Sequence, residues 1–151
     1  MHRRLALLTV LSSLALVGVA GPAQAGLIPT GISDNKGETF TDPLFAPAGF
    51  KYARLVTPWN SINSAAQRDG VDYWMGLARS QNMRIVVSLG HSKGNKCPRR
   101  PCTLPSVRSY TTAFKKFHKR YPFVKDINPW NEINSPTQPT AKNPKLSLIH
   151  I

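Results

Sequence analysis

The chain has 151 residues, of which 41% are hydrophobic, enough for one packed domain and too many for a disordered chain. Lys and Arg number 20 against 7 Asp and Glu, a formal net charge of +13 that suits contact with anionic polymers. Lys115, Lys116, Lys119 and Arg120 cluster on one apolar-faced helical segment without interleaved aromatic platforms, which reads as a solvated basic surface and argues against nucleic acid as the partner.

The first 25 residues read as a secretory signal. His2, Arg3 and Arg4 form a basic start, Leu5 to Ala20 is an almost unbroken apolar run, and Ala23-Gln24-Ala25 has the small-x-small form of a cleavage site. The expectation is cleavage after Ala25 and a secreted protein. The apolar run is shorter than the roughly 20 residues a membrane span needs and stops at Gly21-Pro22, so no stable membrane insertion is expected after cleavage.

Gly26 to Asp34 reads as a first strand ending in polar Ser33 and Asp34, and Asn35-Lys36-Gly37 as a turn. Thr41 or Asp42 would cap a short helix ending near Gly49, with Pro43 in its first turn. Tyr52 to Val56 is dense in apolar residues, as a strand buried on both faces should be, and Thr57-Pro58-Trp59-Asn60 ends it. Tyr73, Trp74, Leu77 and Ala78 have helical spacing and predict a helix over 72–82. Arg84 to Leu89 is the third strand, ending at Gly90-His91-Ser92.

Residues 92–105 form a long loop. In an exported protein Cys97 and Cys102, in Cys-Pro-Arg-Arg-Pro-Cys, are expected to close it as a disulfide. A metal site would need further ligands, and only His91 lies nearby, so neither metal nor cofactor is expected. Ser106 or a neighbour starts a helix whose stripe Tyr110, Phe114, Phe117, Tyr121 is core packing. Val124 to Asn128 is the fourth strand, broken at Pro129, and it delivers Trp130, Asn131 and Glu132 together. A ring, an amide and a carboxyl suit sugar chemistry: the indole stacks on a pyranose, the amide bonds a hydroxyl, and the carboxyl moves a proton.

Strands alternating with helices predict an α/β fold with a parallel sheet. The polar strand ends Asp34, Trp59 with Asn60, His91, and Trp130 to Glu132 would then share the carboxyl edge, where such sheets place their sites. No glycine-rich phosphate fingerprint follows the first strand, which disfavours a dinucleotide fold.

With Arg54 in the second strand, Trp130-Asn131-Glu132 after the fourth and Gln138-Pro139-Thr140 beyond, residues 26–145 resemble the amino-terminal half of secreted clan A glycoside hydrolases of the actinobacterial type. The resemblance implies a parallel (β/α) half-barrel, strands 1–4 of a truncated (β/α)8 barrel. It also implies a retaining mechanism on a polysaccharide, with Glu132 as acid/base, Asn131 holding the sugar 2-hydroxyl, and Arg54 supporting the nucleophile. Trp130, Trp59, His91 and Asp34 would line the substrate by position. A complete barrel takes about 250 residues, so residues 26–151 supply about half of one and the nucleophile would lie beyond them; the fragment alone is expected to be inactive. Residues 146–151 resemble sequencing read-through rather than protein. The alternatives are a carbohydrate-binding barrel without catalysis and a basic secreted protein that binds anionic cell-wall polymers.

Overall fold

The computed structural model describes residues 29–141; the expected signal peptide and the 146–151 tail lie outside them. The chain forms four strands, β1 (Gly31–Ser33), β2 (Tyr52–Pro58), β3 (Arg84–Gly90) and β4 (Asp126–Asn128), with helices α1 (Ala65–Ser80) and α2 (Val107–Arg120) between them. All four strands pair in parallel, in the order β1-β2-β3-β4. The α/β alternation read from the sequence is therefore present.

Alternate residues of each strand meet different surroundings, as a period of two requires. Ala53, Leu55, Ile85, Val87 and Leu89 are buried and join the core with Trp74 and Met75 of α1 and Tyr110, Ala113 and Phe117 of α2. The other face carries Tyr52, Arg54 and Val56, which are half-buried, with Arg84 exposed and Ser88 fully buried. Apolar burial thus sits on the helix side, and the second face is polar enough to carry chemistry.

Two elements differ from expectation. Helix α1 begins at Ala65, not Asp72. Its first two turns, Ala65 to Gly70, hold no large apolar side chain, so the periodic stripe that betrays a helix starts only at Val71. Residues 41–49 form no α-helix; the segment holds 3-10 turns at Gly37–Thr41 and Ala46–Ala48. Pro43 and Pro47 each remove a backbone N–H, and Gly49 at φ 69 ends the second turn. Phe40 and Phe45 still reach the core, edge to face at 5.2 Å.

Ser106 caps α2 by accepting the Ser109 N–H at 3.2 Å, as expected. The two helices are tied by Asp72, which accepts both Arg120 and, at 2.8 Å, the Tyr121 hydroxyl. Arg120 and Tyr121 hold the Asp72 carboxyl below its usual range, and burial with the same carboxylate pushes the Tyr121 phenol up. At the amino edge of the sheet Arg84 pairs with Asp126 at 2.7 Å, joining the first residues of β3 and β4.

Candidate functional site

The carboxyl edge is knotted around one guanidinium. Arg54 is the third residue of β2, lying across from Ser33 of β1 and Val86 of β3 in the register. Its Nε donates to Ser88 Oγ at 2.9 Å, its Nη2 to Asn131 Oδ1, and its Nη1 to Ser33 Oγ at 3.5 Å. One side chain therefore bonds to β1, to β3 and to the turn after β4. Each acceptor is a neutral oxygen, so among the described residues the Arg54 charge has no carboxylate partner.

Asn131 is fixed from two directions. Its backbone N–H donates to Leu89 O at 2.6 Å, continuing the β3–β4 contact beyond the ladder, and its side-chain oxygen is held by Arg54. The residue is buried, and its amide nitrogen stays available to donate. Glu132 follows at φ 48, in the left-handed region, with an exposed side chain. For a residue with a Cβ that conformation costs on the order of 1 kcal/mol and persists where surrounding contacts impose it. Here they are the Asn131 anchor behind and the Ser135 N–H to Glu132 O bond, 2.8 Å, ahead.

The remaining expected site residues lie elsewhere in the bonding pattern. Trp130 is buried, its ring 6.2 Å from Tyr110 and its indole N–H donating to Gln138 Oε1 at 3.2 Å. It braces the turn after β4 instead of presenting an open face. Trp59 also packs on Tyr110, at 6.1 Å, while its backbone N–H donates to Gly90 O at 2.8 Å. Tyr110 reaches Pro129 O with its hydroxyl, and burial pushes its phenol up to about 12. The three rings thus form one wedge beneath the strand ends.

His91 bonds through Nδ1 to Ser92 O at 2.8 Å, an anchor for the loop it begins. Asp34 is bound into its own turn: its carboxylate accepts Thr39 Oγ1 at 2.7 Å and Lys36 N–H at 3.0 Å, and those bonds hold it below its usual range. Neither is joined to Glu132 by a hydrogen bond.

Cys97 and Cys102 are disulfide-bonded, with Cα atoms 4.8 Å apart. Behind them Asn95 is buried and spans the loop: its amide donates to Thr103 O at 2.9 Å and its oxygen accepts the Thr103 N–H at 3.2 Å. Among the described residues no group of three or more His, Cys, Asp or Glu could hold a metal ion, and no helix is long and apolar enough to cross a membrane.

Sequence reasoning passed over Ser88 and Asn95, and read Ser33 as a polar strand end without giving it a place in the site. Ser88 did leave a signal, a lone hydroxyl inside Ile85-Val86-Val87-Ser88-Leu89 that must find a partner once buried. No protein-family model, curated protein or solved structure matches this chain.

Proposed function

We propose that the chain is the amino-terminal half of a secreted retaining glycoside hydrolase with a (β/α)8 barrel, in which Glu132 is the acid/base and Asn131 orients the sugar. The observation that carries this reading is the Arg54–Ser88–Asn131 knot, which fixes a buried amide one residue before an exposed carboxyl at the carboxyl edge of a parallel sheet. The sheet order supports the barrel as well. Sequential parallel strands with the packed helices on one face leave the second face to become a barrel interior.

In this reading Glu132 protonates the departing glycosidic oxygen. A second carboxylate, roughly 5–5.5 Å away, attacks the anomeric carbon. Glu132 then takes a proton from the water that hydrolyses the glycosyl-enzyme. Asp34, after β1, is engaged in its own turn, and Asp126 pairs with Arg84 at the amino edge. In this reading the nucleophile comes from the second half of the barrel, and the Arg54 charge, which has no carboxylate partner among the described residues, is suited to hold it.

The test uses the complete gene product. Glu132→Gln should cut hydrolysis of a natural glycan by about 10²–10⁴-fold while the protein stays folded; undiminished hydrolysis refutes the assignment.

A further inference from the structure

Between the loop after β3 and the turns after β4 lies a groove of about 810 Å3, with Arg100, Pro101, Cys102 and Thr103 on one wall and Gln138 and Pro139 on the other. Both walls are set. The first is closed by the Cys97–Cys102 disulfide, by Lys96 N–H on Pro101 O at 2.7 Å, and by buried Asn95 gripping Thr103. The second is held by Gln138 on the Trp130 indole and by Thr140 Oγ1 on Ile133 O at 2.7 Å. Volumes of roughly 300–1,000 Å3 are those of ligand sites, and loops at the carboxyl edge of a parallel sheet are where they occur.

The charge around this groove is one-sided. No Asp or Glu occurs between residues 73 and 125, nor after Glu132. Lys93, Lys96, Arg99 and Arg100 are exposed in the loop, and none takes part in the ion pairs of the described residues. The groove at the amino edge, about 530 Å3, differs: there Arg84 is paired with Asp126, and Arg79 lies over the Phe123 ring at 4.3 Å. Of these two grooves, the carboxyl-edge one carries a guanidinium, that of Arg100, with no ion-pair partner among the described residues.

We propose that this groove binds a segment of an acidic polysaccharide, with Arg100 receiving a sugar carboxylate. The carbohydrate half of the claim rests on the glycosidase reading; the acidic half rests on the charge. Proline rings and the disulfide supply flat apolar surface for the C–H face of a pyranose, and a guanidinium fits a carboxylate with two parallel hydrogen bonds. The lining holds no aromatic ring on which a nucleobase could stack, which selects a uronide over single-stranded nucleic acid. The three neighbouring cations raise the local potential and draw the polyanion in.

The experiment is a binding titration of the intact, disulfide-bonded chain with fluorescent short oligogalacturonate at about 0.15 M salt. Neutral malto-oligosaccharide and single-stranded DNA of equal charge serve as comparisons. Saturable binding of the uronide is expected, tighter than that of either comparison. It should weaken roughly tenfold in Arg100→Ala, recover in part in Arg100→Lys, and stay unchanged in Lys115→Ala on the outer face of α2. Absent saturation, DNA binding as tight as the uronide, or indifference to Arg100→Ala would each overturn the site. Because the readout is binding, uronide binding by the chain together with a complete gene product that hydrolyses no glycan refutes the glycosidase reading alone, and an active complete enzyme whose groove ignores uronides refutes the groove alone.

Discussion

The two ends of the sheet treat charge in opposite ways. At the amino edge and between the helices acids and bases neutralise one another: Arg84 with Asp126, Arg120 with Asp72. At the carboxyl edge Arg54 is held by neutral oxygens, Glu132 stands exposed, and the loop cations have no acid among them. The first end spends its charges on holding strands and helices together. The second keeps them fixed in place and available, which is what a site requires and what a scaffold avoids.

Substitutions at each end should therefore fail differently, and the largest effects separate the two most cleanly. Glu132→Gln in the complete enzyme should slow turnover of poor leaving groups by about 10²–10⁴-fold yet shift stability by no more than about 0.5 kcal/mol, as an exposed side chain outside the core does. Trp74→Ala should do the reverse. The ring is buried and its indole N–H donates to Asp34 O at 2.8 Å, so truncation should cost about 3–5 kcal/mol in chemical denaturation. A Glu132 variant that unfolds, or a Trp74 variant that does not, would break the contrast.

Ser88→Ala should lie between. It leaves the Arg54 Nε–H without its acceptor beside a fully buried position and should cost about 1–3 kcal/mol, while loosening Asn131. A stability loss without any rise in hydrogen exchange at the Asn131 amide would mean that the knot does not hold the turn after β4.

The smallest effect belongs to the paired end. Asp72→Asn should cost up to about 1 kcal/mol, since the pair is partly exposed and screened. Its pH dependence is more telling than its size. Asp34, Asp72 and Asp126 are all held below the usual 3.8, so the unfolded chain binds more protons than the folded one across that range. Their contribution is full above the usual value and is lost as pH falls through the lowered folded values. Acid titration of stability should thus flatten in Asp72→Asn, and an unchanged acid limb would contradict the pairing.

The sequence made the scaffold readable where pattern and packing coincide. Tyr110, Phe114 and Phe117 sit at helical spacing and lie on α2, and the apolar runs at 52–56 and 84–89 fall within β2 and β3. It misled where local chemistry is silent. Ala65 to Gly70 carry no stripe yet are helical, because the helix is held by packing further on, through buried Val71, Trp74, Met75 and Ala78. At the site, the grouping of Trp130, Asn131 and Glu132 was visible as a strand end. The burial of Trp130 was not, because it depends on Tyr110 and Gln138, eight or more residues distant in the chain. Likewise the bonds from Arg54 to Ser88 and Asn131 span three elements and leave no local pattern to read.

The most direct measurement is chemical rescue of the complete enzyme carrying Glu132→Ala, using an aryl glycoside with a good leaving group and added azide. A glycosyl-enzyme formed by the second carboxylate needs no acid for such a leaving group, and azide can replace the water that Glu132 would have activated. The predicted result is restored turnover with a glycosyl azide of retained anomeric configuration as product. Restored turnover with an inverted azide, or no response to azide from an enzyme that still hydrolyses, would contradict the role of Glu132.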